Sequence, residues 1–111
     1  MDARIRQTIE RLERFMESAD DALALPRAAA EFVHAVVAAR GVKRAVEIGT
    51  SYGYSGLWIA AGLARDGMLI SIDHDPRTHD GAGAYVKAAG LASAKNMRVG
   101  NFQTLALRNQ N

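Results

Sequence analysis

The sequence predicts an α/β fold with a small parallel sheet, about three strands with flanking helices. Two apolar runs predict it, Ala45 to Ile48 and Met68 to Asp73, each followed by a helix-like segment. The third observation is the Gly-containing turn after the first run, which resumes as a helix through Ala60. In open α/β sheets ligands gather beyond the carboxyl ends of the strands, where a turn exposes backbone N–H groups and a helix N-terminus carries partial positive charge. That turn is the candidate site.

Along the chain, Ile5, Ile9, Leu12 and Met16 recur at helical steps among charged residues, giving an amphipathic helix from about Ala3 to Ser18. Ser18, Asp20 and Asp21 supply turn chemistry, and Pro26 suits the first position of a second helix that runs to about Arg40. Its packing stripe reads Ala29, Phe32, Val33, Val36, Val37 and Arg40, with Gly41 at the C′ position and His34 off the stripe as a solvated residue. The strand Ala45 to Ile48 is apolar on both faces apart from Glu47, as in an interior parallel strand. A carboxylate there must find donors, either by bracing its own turn or by meeting a cationic ligand.

Ser55 opens a helix from Gly56 to Ala64, where its hydroxyl either caps the helix or meets a bound carboxylate. Tyr52 lines the pocket or covers the sheet end, and Trp58 reads as packing rather than recognition. The second strand ends at Asp73, about 20 residues beyond the glycine turn, placed to accept ribose hydroxyls. Asp75, before Pro76, is the better cap for the following helix, Pro76 to Ala89, whose apolar register is poor. Asn96 to Val99 reads as a third strand, and Leu105 to Leu107 begins a possible last helix.

The glycines of the turn, Gly49, Gly53 and Gly56, do not follow the dinucleotide spacing, because Ser51 and Tyr54 stand where its second and third glycines belong. NAD and FAD are thereby disfavoured. A Walker loop is excluded by the lack of Gly-Lys-Ser/Thr. What remains is a small anionic or zwitterionic group with a nucleoside attached. Asp73, His74, Asp75 and His79 mix oxygen and imidazole donors, but neighbouring strand residues point to opposite faces, so Asp73 and His74 are not expected to share an ion and no metal is assigned.

Val-Glu-Ile-Gly-Thr-Ser-Tyr-Gly-Tyr-Ser at 46–55, followed by Leu-Ile-Ser-Ile-Asp-His-Asp-Pro at 69–76, resembles class I S-adenosylmethionine-dependent methyltransferases, nearest to the small-molecule O-methyltransferases of the catechol and caffeoyl-CoA type. The resemblance runs from about Pro26 to about Gln103. It implies a Rossmann-like class I methyltransferase fold truncated to about three parallel strands, with S-adenosylmethionine as cofactor and a phenol or catechol-like methyl acceptor. By resemblance, Glu47 organises the loop around the methionine part, Ser55 bonds the cofactor carboxylate, Tyr54 lies beside the methionine moiety and Asp73 binds the ribose. Gly49, Thr50, Ser51, Gly53 and His74 complete the implied cofactor set. Gly100-Asn101-Phe102-Gln103 falls at the adenine-contacting loop, where Gly100 and Gln103 match the family while Asn101 and Phe102 depart from it; Asn101 could bond the adenine amino group.

The 111 residues read as one partial domain, 1–111, with an N-terminal helical segment 1–40. No apolar run reaches the ~20 residues of a membrane span, no signal sequence opens the chain, and cysteine is absent, which fits a cytoplasmic protein. The net charge of +2 is scattered rather than clustered, which disfavours nucleic acid. The later strands that carry the family's substrate site and metal ligands are not in the sequence, and no catalytic base is identified. The first strand is then left as an exposed apolar edge, suggesting a homodimer, an aggregation-prone fragment, a chain completed by a partner, or a truncated product. The rival reading is a non-catalytic half-Rossmann module that binds a nucleoside or serves in interactions. An oxidoreductase domain is opposed by the glycine spacing.

Overall fold

The computed structural model describes residues 1–19, 25–91 and 97–100. In chain order these form α1 (Ala3–Glu17), α2 (Arg27–Arg40), β1 (Arg44–Ile48), α3 (Tyr54–Gly62), β2 (Met68–Ile72), α4 (Pro76–Ala88) and β3 (Met97–Gly100). The three strands are parallel in the order β1-β2-β3. Asn101, Phe102, Gln103 and the possible helix at Leu105 to Leu107 lie outside the described residues.

Register sets the two faces of the sheet. Ala45 pairs with Leu69 and Glu47 with Ser71, while Val46 pairs with Ile70 and Ile48 with Ile72. Leu69 and Ser71 are fully buried, and Leu69 joins a core with Ile9, Leu12, Leu57 and Trp58. The helices therefore cover the face that carries Leu69 and Ser71. The opposite face is bare at β1, where Val46 is 65% and Ile48 80% exposed. Among the described strands β1 is an edge, as the expected exposed edge requires.

α1 follows its periodicity, burying Ile5, Thr8, Ile9 and Leu12, with Asp2 accepting from Arg4 N at its start. α2 does not. Its buried face runs through Ala30, with Val33, His34 and Val37 half-buried beside it, whereas Phe32 and Val36 are exposed. Positions 30, 33, 34 and 37 follow the i, i+3, i+4, i+7 rule, so the predicted stripe was rotated by part of a turn. The reason lies in α3. A Cβ at Gly62 would stand 2.9 Å from His34 O, so the two helices approach closely there and choose the face of α2 that fits. His34 is consequently not a solvated residue. Its Nδ1 lies 2.9 Å from Trp58 O, and because a carbonyl can only accept, Nδ1 carries the proton.

α4 packs through small residues, burying Ala82, Val86 and Ala89. Its N-cap is Asp75, whose Oδ1 accepts from Arg77 N at 2.9 Å, as the sequence suggested. Gly41 closes α2 in the left-handed region, φ +60.

Candidate functional site

The turn between β1 and α3 is wound by three left-handed residues, Gly49 (φ +96), Ser51 (φ +49) and Gly53 (φ +89). Gly53 is both the N-cap of α3 and a close approach, because a Cβ there would meet Ala82 Cβ at 3.3 Å. α3 begins at Tyr54, so Ser55 lies inside its first turn and is not the cap.

Asp73 holds the turn from within. Its Oδ2 accepts Thr50 N at 2.9 Å and Ser51 N at 3.3 Å, and its Oδ1 accepts Asp75 N at 3.1 Å. Its side chain is 13% exposed. Burial alone would raise its pKa, but the N–H donors of Asp75, Thr50 and Ser51, with His74 alongside, hold it below the usual carboxylate value. The expectation that the turn offers these N–H groups to a ligand is thus corrected: a carboxylate of the same chain occupies them. His74 is almost fully exposed, with Nδ1 3.4 Å from Asp73 Oδ1. The two groups do converge, against the sequence argument, because β2 ends at Ile72 and strand alternation no longer applies. Among the described residues no group of three or more His, Asp or Glu side chains is placed to hold a metal. The His79 side chain lies outside the described residues.

Glu47 braces the turn, through side-chain hydroxyls rather than backbone N–H groups. Ser55 Oγ donates to its Oε2, and Ser71 Oγ donates to its Oε1 at 2.7 Å. Since the Ser71 proton is committed to Glu47, Thr50 Oγ1 must donate to Ser71 Oγ across their 2.9 Å contact. This buried chain of hydroxyls ties β1, the turn, β2 and α3 together. Burial pushes the Glu47 carboxyl upward, and the Ser55 and Ser71 hydroxyls only partly oppose it.

A cavity of about 540 Å³ opens over this network, lined by Leu25, Pro26, Val33, Glu47, Ile48, Gly49, Thr50, Ser51, Tyr54, Ser55 and Ile59. Its size is within the roughly 300–1,000 Å³ of small-molecule sites. Of the residues singled out from sequence, Glu47, Gly49, Thr50, Ser51, Tyr54 and Ser55 form its wall; Gly53 and Asp73 stand behind, shaping the turn, and Asn101 and Gln103 are outside the described residues.

Tyr54 is buried at 3% exposure, and its hydroxyl donates to Glu13 Oε2 at 2.6 Å. Arg27 Nη1 donates to the other Glu13 oxygen at 2.8 Å. Burial, with the bond to Glu13 adding to it, pushes the Tyr54 phenol up to about 12. Arg27 lies 5.5 Å from the centroid of the Trp58 ring, and Trp58 is buried in the core as packing. Sequence reasoning missed Glu13, Arg27 and Ser71. Ser71 left a signal, being a lone polar residue in an apolar strand, and it is the register partner of Glu47.

The profile of the family described as O-methyltransferase matches residues 3–109. The chain is 38% identical over 58 residues to a catechol O-methyltransferase of Niastella koreensis, covering 52% of this chain and 26% of that protein. It is 31% identical over 88 residues to a catechol O-methyltransferase of Mycobacterium tuberculosis, covering 75% of this chain and 40% of the relative. Among solved structures, the O-methyltransferase TomG of Streptomyces achromogenes, crystallised with S-adenosylmethionine, superposes with a TM-score of 0.71 at 25% identity over 96% of this chain and 46% of its own. The chain spans less than half the length of each of these proteins.

Proposed function

The chain belongs to the O-methyltransferase family, and from that premise we propose that it forms the S-adenosylmethionine-binding part of an S-adenosylmethionine-dependent O-methyltransferase acting on a small phenol or catechol-like hydroxyl. In this reading the 111 residues act as one partial domain, and Leu25, Pro26 and Val33 of its N-terminal segment line the cavity. The observation that carries this reading is the polarity of the turn. Its first N–H groups are taken by Asp73, and a second carboxylate, Glu47, stands in the cavity wall, so the site offers acceptors where a phosphate would need donors. Such a site suits a ligand with hydroxyl donors and positive charge, which a nucleoside carrying a sulfonium and an ammonium provides.

In this reading the bound cofactor supplies a methyl group activated by its sulfonium. The protein's part is to position and to exclude water. Glu47, fixed by Ser55 and Ser71, faces the amino acid end of the cofactor together with Gly49, Thr50, Ser51, Gly53 and Tyr54. By the resemblance to the family, Asp73 and His74 are assigned to the ribose and Asn101 and Gln103 to the adenine. Leu25, Pro26, Val33, Ile48 and Ile59 give the cavity its apolar wall. Two copies pair through the β1 edge. Among the described residues no helix is long and apolar enough to cross a membrane, and we assign the protein to the cytoplasm.

Calorimetric titration with S-adenosylhomocysteine tests the reading, with NAD as control. Saturable binding of the nucleoside thioether, lost in Asp73→Ala and absent for NAD, is the expected result. A folded chain that ignores S-adenosylhomocysteine overturns it.

A further inference from the structure

α1 reaches across the helical layer and is fastened at both ends. Near its start, Arg4 Nε donates to Ala88 O at 2.7 Å, at the end of α4. Near its other end, Glu13 accepts from Tyr54 and Arg27, and the Phe15 ring meets Tyr52 edge-on at 5.2 Å between centroids. Both tyrosines of the glycine turn region are therefore held by residues of a helix some forty positions earlier in the chain.

Tyr54 also stands between two cavities. One is the 540 Å³ site with Glu47 and Ser55 in its wall; the other, about 470 Å³, is lined by Glu13, Met16, Glu17, Leu25, Arg27 and Tyr54. The ring packs in the core, edge-on to Trp58 at 6.5 Å between centroids, and its hydroxyl end is held by Glu13, which is held in turn by Arg27, whose Nε donates to Glu31 at 2.8 Å. A bond to an ionised acceptor is among the stronger hydrogen bonds, and this one sits at the tip of a buried lever.

We propose that Glu13 is a positioning residue of the cofactor cavity: acting through the Tyr54 hydroxyl, it sets the ring that forms one wall, so that docking of α1 and binding of the nucleoside are coupled. The inference rests on the reading of that cavity as the S-adenosylmethionine site. Glu13 touches no ligand in this account. It acts only through Tyr54.

The test compares the full chain with Glu13→Ala, Glu13→Gln, Tyr54→Phe and the Glu13→Ala/Tyr54→Phe pair, each titrated with S-adenosylhomocysteine well below its melting temperature. Glu13→Ala weakens binding about tenfold, the scale of one lost bond to a charged group. Tyr54→Phe weakens it to a similar degree, and the double variant is no worse than either, because both remove one contact. Glu13→Gln keeps an acceptor and restores affinity to within about threefold of the original. In ultraviolet titration of the phenols, Glu13→Ala brings the Tyr54 ionisation down from its elevated position. A residue that merely stabilises the fold lowers the melting temperature and leaves the dissociation constant alone; that result, or full additivity in the double variant, overturns the inference while binding by the parent chain preserves the cofactor reading. No binding by the parent chain overturns both.

Discussion

Replacing Asp73 with Asn separates charge from shape at the centre of the turn. The carboxylate accepts three backbone N–H groups at 2.9, 3.3 and 3.1 Å and is 13% exposed. The carboxamide keeps one acceptor oxygen and turns an NH2 toward the donors served by the other. On Oδ2 two backbone N–H groups are at stake, on Oδ1 one, with His74 Nδ1 more distant at 3.4 Å, so the better orientation keeps the backbone pair and sacrifices the Asp75 bond. One lost bond to a charged group and the weakening of two others come to about 2–3 kcal/mol at neutral pH. For a chain of this size that is a fall in melting temperature on the order of 10–20 °C.

The pH dependence follows from the sign of the shift. The folded-state pKa of Asp73 is lowered, so its contribution is fully present above the ordinary carboxylate value and is lost as pH falls through the lowered one. Urea denaturation of the parent and Asp73→Asn chains should therefore show the full gap at about pH 7 and a shrinking gap toward about pH 3. A gap of the same size at both pH values would mean that shape, not charge, holds the turn. No gap at neutral pH would refute the bracing role altogether.

Glu47 should behave in the opposite sense. Its folded-state pKa is raised by burial, so the protonated form is favoured in the fold, and stability falls as pH rises from the ordinary carboxylate range through the raised value. Glu47→Gln removes that slope, and equilibrium unfolding between about pH 4 and pH 8 should show the parent losing stability relative to the variant; a parent that gains instead would reverse the assignment. At the edge, Ile48 is 80% exposed, and Ile48→Lys should shift sedimentation from dimer toward monomer with no loss of thermal stability in the monomer. A parent chain that sediments as a monomer at high concentration removes the proposed β1 pairing.

The sheet, the turn and the amphipathic α1 were legible because each is written in local periodicity. α2 was not: it is apolar on several sides, and Phe32 and Val36 are as apolar as Val33 and Val37. Which side is buried was decided at Gly62 and Trp58, more than twenty positions away. The site shows the same division. Asp73 and Glu47 stood out as carboxylates at strand ends, but the choice of partner depended on which residues the fold brings near: Asp73 took the backbone N–H groups of the turn, and Glu47 took the hydroxyls of Ser71 and Ser55. Glu13 lay among the charged residues of an amphipathic helix, and nothing in its local pattern pointed 41 positions ahead to Tyr54.

Ser51 adopts φ +49, a region that costs a non-glycine residue on the order of 1–2 kcal/mol. The hydrogen bonds that Asp73 accepts from the N–H groups of Thr50 and Ser51 offset that cost from within the chain. A change at Asp73 therefore leaves Ser51 in a strained conformation with nothing to offset it, so the side chain secures the path of the backbone itself and not one contact alone.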